Sequence, residues 1–151
     1  MAEKTQREPG TPGRFSRWVQ QKANARLARK IRGGRGQFMG MDVLILNTVG
    51  KRSGQRRETP VAWFADGEDA RLVVASGGGN RHPDWHANLM AHPGRATIEL
   101  PGQEPVPVTP HRLDGAERDE AWQRITAAQP RLAKYQAKSD RRYPVIRLTP
   151  R

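Results

Sequence analysis

Thr48-Val49-Gly50-Lys51-Arg52-Ser53-Gly54-Gln55-Arg56-Arg57 packs four cations and two glycines into ten positions between two apolar runs. The run before it, residues 41–48 (Met-Asp-Val-Leu-Ile-Leu-Asn-Thr), is β-branched and too short for a typical helix. The run after it, residues 58–65 (Glu-Thr-Pro-Val-Ala-Trp-Phe-Ala), reads as its partner strand. The stretch therefore predicts a hairpin with a basic tip. Glycine lets the backbone turn through conformations closed to other residues and come close to a ligand, so amide N–H groups can join Lys and Arg side chains around an oxyanion. Phosphate and carboxylate are the anions that fit. An ordinary solvated turn also carries glycine and charge, so the tip alone leaves both readings open.

The rest of the chain continues in short strands and turns. Asp66-Gly67 makes a turn and residues 71–75 a third strand. The loop Ser76-Gly77-Gly78-Gly79-Asn80-Arg81-His82 then leads into Pro83, which suits the first turn of a helix running through Trp85, Leu89 and Met90 to His92-Pro93. A glycine-rich loop opening onto a helix N-terminus is a second cradle for an anion or polar ligand. Residues 95–100 and 106–111 form strands around a Pro101-Gly102 turn. Asp114, with Glu117 three residues on, gives a capping-box start to a helix through Trp122 and Ile125, interrupted at Pro130. Residues 132–138 make a shorter helix and residues 145–149 a last strand. Strands joined by turns more often than by crossover helices predict a mainly antiparallel sheet or small barrel with helices on its outside.

With 151 residues the chain suits one domain with a single core. It has no cysteine, which removes disulfides and thiolate metal sites. No apolar run approaches the roughly 20 residues that cross a bilayer, and no signal-like segment opens the chain, so a soluble or peripheral protein is expected. Lys and Arg number 27 against 15 Asp and Glu, a net charge of +12 that calls for an acidic partner. Ten of these cations precede residue 37, opposed there by Glu3 and Glu8. The organisation expected is therefore a basic arm, residues 1–36, and a folded domain, residues 37–151. Residues 1–13 are polar and expected to be disordered.

Within the arm, Phe15, Trp18, Val19, Ala23, Leu27 and Ile31 recur at helical spacing, ended by Gly33-Gly34. That apolar face either lies in an anionic membrane surface or docks on the domain's own core. Nucleic acid is not expected, because no recognition helix, zinc finger or RNA-binding signature accompanies the charge. His82 and His86 stand four apart without an obvious third ligand, so a metal site is not expected either. The basic loop lacks the spacer and order of a nucleotide P-loop.

Gly50-Lys51-Arg52-Ser53-Gly54-Gln55-Arg56-Arg57-Glu58-Thr59-Pro60, Val73-Val74-Ala75-Ser76-Gly77-Gly78-Gly79, Pro83-Asp84-Trp85-His86-Ala87-Asn88-Leu89 and Ala91-His92-Pro93 follow one another along the chain. With the closing Asp140-Arg141-Arg142-Tyr143-Pro144-Val145-Ile146, this ordered set resembles the deazaflavin-dependent nitroreductase family. The resemblance implies a split β-barrel related to FMN-binding oxidases, and a cytoplasmic reductase, peripheral at the inner membrane face if the basic helix binds there. Its cofactor is coenzyme F-420, an elongated polyanion with a tricyclic deazaflavin, a phosphate and an acidic tail. Lys51, Arg52, Ser53 and Arg57 match positions that bind the phosphate and tail, and Pro60 closes the same motif. Ala75, Ser76, Gly77 and Gly78 correspond to the loop beside the deazaflavin. Trp85 and Asn88 match the pocket wall, although Trp85 equally suits a core aromatic.

Tyr135 matches a position beside the substrate, as a contact or proton donor. Better-studied members carry several tyrosines in that piece, whereas Tyr143 is the one other tyrosine here. That departure shifts the expected acceptor from nitroimidazoles toward quinones or other conjugated compounds. Lys51-Arg52 stands where Arg-Lys is common, which keeps the charge and changes the hydrogen-bond geometry. An FMN-binding or non-catalytic carrier of the same barrel class is the alternative reading.

Overall fold

A computed structural model describes residues 14–77 and 81–151, with the backbone alone for residues 14–20. Residues 1–13, the side chains of Phe15, Trp18 and Val19, and Gly78 lie outside what it describes. In order the elements are α1 (Arg14–Arg32), β1 (Gln37–Phe38), β2 (Met41–Val49), β3 (Arg56–Ala62), β4 (Phe64–Asp66), β5 (Ala70–Val74), α2 (Asp84–Ala91), β6 (Thr97–Glu99), β7 (Val106–Arg112), α3 (Gly115–Ala128), α4 (Pro130–Lys138) and β8 (Val145–Pro150). The strands run β1-β2-β6-β7-β8-β5-β4, with β3 added on β2, and every pairing is antiparallel. The sheet curls into a half-barrel with the helices outside it, the split-barrel arrangement.

β2 organises the rest because both of its faces are covered. Residues 43–48 are all buried, which is why the sequence shows a continuous apolar run instead of an alternating one. Successive side chains of a strand point to opposite faces. Leu44 and Leu46 enter the barrel core with Val73, Ile98, Val108, Ile146 and Leu148. Val43 and Ile45 face outward, where Ala28 and Ile31 of α1 cover them, with Leu27 and Ala62 alongside. The same alternation works at β5, where Val73 turns inward and Leu72 meets Leu113, Ile125 and Leu132 beneath α3 and α4.

The C-terminal half of α1 thus docks on the protein's own core, the second of the two readings of its apolar face. An ionic clasp fixes its position. Arg32 donates through Nε and Nη2 to both oxygens of Glu99, at 3.1 and 3.0 Å, and through Nη2 to Glu58 at 2.6 Å. Glu99, 6% exposed, also accepts from Asn47 Nδ2 at 2.9 Å. α1 stops at Gly33 and Gly34, the latter in the left-handed region at φ 98. Among the described residues no helix is long and apolar enough to cross a membrane.

Several local expectations need correction. The strand expected over residues 58–65 is two strands: β3 ends at Ala62, and the chain leaves β2 at Trp63 to pair with β5 through β4. A sequence pattern shows strand character but not a change of partner. The strand expected over residues 95–100 is confined to β6, because Pro93–Arg95 forms a turn of tighter helix. Asp114 occupies the N-cap of α3 without a side-chain cap bond. Gly115 enters the helix at φ 54, and Glu117 is drawn instead to His111 (3.6 Å) and Arg147 (3.3 Å). The two-residue β1 was not expected; Met39 and Gly40, both at positive φ, turn it into β2.

Candidate functional site

The turn between β2 and β3 is built around its glycines. Gly50 N–H donates to the Gln55 carbonyl at 2.8 Å, Gly54 N–H to the Gly50 carbonyl at 3.0 Å, and Gln55 N–H to the Ser53 hydroxyl at 3.2 Å. A Cβ on Gly50 would lie 2.3 Å from Ser53 Oγ, and Gly54 adopts φ 68. A side chain at the first position would displace the Ser53 hydroxyl from its bond to the Gln55 N–H, and few residues tolerate the second. The turn leaves Lys51, Arg52 and Ser53 exposed at its tip, with Arg57 exposed on β3 beside them.

The tip concentrates cations on a tight turn, and their ion pairing is uneven. Arg32, Arg56, Arg124, Arg142 and Arg147 each reach a carboxylate. Among the described residues, Lys51, Arg52 and Arg57 do not. Lys51, Arg52 and Arg57 are donors of the kind that form charge-assisted hydrogen bonds with phosphate or carboxylate.

Asn88 of α2 joins this tip to the second glycine-rich loop. Its Oδ1 accepts from the Lys51 N–H at 2.8 Å, so the side chain ties α2 to the basic turn. Trp85, one turn earlier on α2, is 8% exposed and packs in the barrel core with Leu44, Leu46, Val73, Ala75 and Leu89. Ala75 is fully buried, and its N–H donates to the Pro144 carbonyl at 2.9 Å. Ser76 and Gly77 follow it toward the surface, and space is open around Gly77. Pro60 is half-buried on β3 opposite Ile45. Tyr135 is half-exposed on α4.

Two histidines flank the second loop, with ring centres 4.8 Å apart. Burial holds His86 down to about 4, with the neighbouring His82 and the cations Arg112 and Arg141 adding to the shift. Burial also lowers His82, again helped by Arg141 and Arg112. Both rings are therefore neutral near pH 7. His86 Nε2 is buried with no hydrogen-bond partner among the described residues. No group of three or more His, Asp or Glu that could hold a metal ion occurs among the described residues.

A sequence model for F420H(2)-dependent quinone reductases matches residues 18–150. The chain belongs to this family. An F420H(2)-dependent quinone reductase of Mycobacterium tuberculosis is 34% identical to it, over 91% of this chain and 99% of its own. Among solved structures, an F420-H2 dependent reductase superposes with a TM-score of 0.59 at 28% identity, covering 70% of this chain and 92% of its own. A chain described as a domain-swapped dimer gives 0.62 at 27% identity, covering 89% and 98%. A Listeria innocua protein, at 12% identity and a TM-score of 0.51, shares the fold alone.

The F420H(2)-dependent quinone reductase family match spans the basic turn, the second loop and α4 together. Sequence reasoning did not single out Arg141 or Gln136, which hold the second loop and α4 in place. Arg141 stood in the closing motif, yet how far its side chain reaches is a property of the fold.

Proposed function

We propose that this chain is a reductase that passes a hydride from reduced coenzyme F-420 to a quinone. The observation that carries the reading is the family match over residues 18–150, which includes Lys51, Arg52 and Arg57 exposed at a tight basic turn. They fit the cofactor's phosphate and acidic tail by charge and by donor type. Bound there, the reduced coenzyme supplies a hydride from its deazaflavin ring, which the protein need not generate.

The chain's own contribution is binding and orientation. The Lys51 side chain and its neighbours hold the tail while the Lys51 amide, bonded to Asn88, keeps the turn against α2. Ser76 and Gly77, which follow the buried Ala75 toward the surface, present little bulk beside which a flat ring can approach. Trp85 and Ala75 supply the packed floor beneath them. Tyr135 is assigned to the acceptor side, where its hydroxyl can donate a proton or a hydrogen bond to a quinone oxygen. A quinone that gains the hydride and one proton leaves as the hydroquinone. Exposed Arg26, Arg29 and Lys30 on α1 suit electrostatic contact with an anionic membrane, where lipid-soluble quinones reside.

Fluorescence titration with oxidised coenzyme F-420, run beside FMN at the same salt, tests the cofactor. Saturable binding of the deazaflavin alone is expected. In the Lys51→Ala/Arg57→Ala double variant the affinity falls at least about tenfold with the fold retained, since both side chains are exposed. Unchanged affinity removes the turn from the site, and binding of FMN alone moves the chain to flavin chemistry. Turnover of a soluble naphthoquinone by the reduced coenzyme then tests the acceptor.

A further inference from the structure

Arg141 lies between β8 and α4, outside the basic turn, and its guanidinium is occupied by the second loop. Nη1 donates to the Ala75 carbonyl at 2.9 Å and lies 3.0 Å from His82 Nδ1, while Nη2 donates to the Gly77 carbonyl at 2.5 Å. The same group stands 4.8 Å from the centre of the Tyr143 ring. One planar fork thus holds two carbonyls at the start of the second loop, Ala75 and Gly77, which a single-point ammonium does less well.

The segment that carries Arg141 is itself held from two helices. Gln136 of α4 donates through Nε2 to the Arg141 carbonyl at 2.8 Å, and its Oε1 accepts from the Tyr143 N–H at 2.8 Å. Arg118 of α3, buried, donates to the Tyr143 carbonyl at 2.8 Å. Gln136 adjoins Tyr135. The path from Tyr135 to the loop therefore runs through one side chain, one short segment and one guanidinium.

We infer that Arg141 is a positioning residue that presents the loop 75–77 to the cofactor and, through Gln136, sets its separation from the acceptor-side helix. In a trans peptide the C=O and the next N–H point to opposite sides. With the Ala75 carbonyl held by Arg141, the Ser76 N–H is turned away from the guanidinium. In this role Arg141 acts through the loop whose carbonyls it holds. The inference rests on the cofactor assignment made above and adds to it the element that aims the loop.

The test uses the full chain with Arg141→Ala, Arg141→Lys, Gln136→Ala and the Lys51→Ala/Arg57→Ala control. Each is measured for thermal unfolding, oxidised F-420 binding by fluorescence, and kcat and KM with a soluble naphthoquinone. Arg141→Ala and Arg141→Lys are expected to weaken F-420 binding about tenfold, the scale of one lost charge-assisted contact. Arg141→Lys keeps its charge, so weaker binding at an unchanged melting temperature reports loop geometry. Gln136→Ala is expected to keep F-420 affinity within about twofold and lower kcat, since it shifts α4 and not the tail site. Wild-type binding by Arg141→Lys and Arg141→Ala, with binding lost in the control, overturns the inference alone. Wild-type binding in the control as well overturns the cofactor assignment and this inference together. A fall in melting temperature with unchanged F-420 affinity assigns Arg141 to stability and also overturns it.

Discussion

Glu99 is a buried carboxylate that answers to two elements at once. The two bonds from Arg32 hold it below the usual carboxylate range, against the opposing effect of burial and with Asn47 adding to the stabilisation. Glu99→Ala would leave buried Asn47 with Thr97 alone and Arg32 with Glu58 alone. A cost of about 2–4 kcal/mol in urea unfolding is expected, somewhat below that of a fully buried pair because Arg32 is partly exposed. His86 gives the complementary case, a base kept neutral. Its folded value of about 4 lies below the roughly 6.5 of an unfolded histidine. As pH falls through that interval the unfolded chain takes up the proton first, so stability is present above it and lost within it. His82 acts in the same direction. The urea midpoint should therefore decline between about pH 6.5 and 4, and His86→Gln should reduce that slope. Lys51, Arg52 and Arg57 were legible in the sequence because a glycine-flanked cluster of charge is local. Arg141 and Glu99 were not, because each has its meaning in partners far away in sequence.

At the scale of elements, α1 is the strongest case of a choice the sequence left open. Its helical spacing was plain, but an amphipathic face has the same pattern whether it meets lipid or protein. Ile31 and Ala28 settle on Val43 and Ile45, and the Arg32–Glu99 clasp fixes the angle. Removal of residues 1–35 uncovers that face and leaves Glu99 without its arginine. A loss on the order of 5 kcal/mol is expected, read as aggregation on size exclusion and a large fall in melting temperature. A monodisperse truncated protein with unchanged melting would show that the helix adds nothing to stability. The strands were read well where one strand keeps one partner, as β2 does with β3. At Trp63 the pairing passes from one neighbour to another, and no local propensity encodes that exchange. The capping box at Asp114 had the right residues, yet Glu117 found stronger partners in His111 and Arg147.

For the whole molecule, the net charge of +12 is a long-range field acting on any anionic ligand. Affinity for oxidised F-420 should fall steadily as salt is raised, because exposed cations are screened over about 10 Å at 0.1 M. The Lys51→Ala/Arg57→Ala variant should show a shallower dependence, measured by the same fluorescence titration across a salt series. The barrel class was legible from short strands separated by tight turns, and the comparisons with solved structures agree with it. The sheet order was not, since antiparallel strands joined by turns and helices can be arranged in more than one way.

Pro60 has a consequence for how copies of this protein behave at high concentration. β3 is bound to β2 on one side and to no other strand among the described residues. A proline in its middle removes an amide there, and Arg56, Arg57 and Glu58 line its start. Such an edge offers a poor template for a strand from another molecule, so the rim beside the basic turn is guarded against strand-by-strand fibrillar growth.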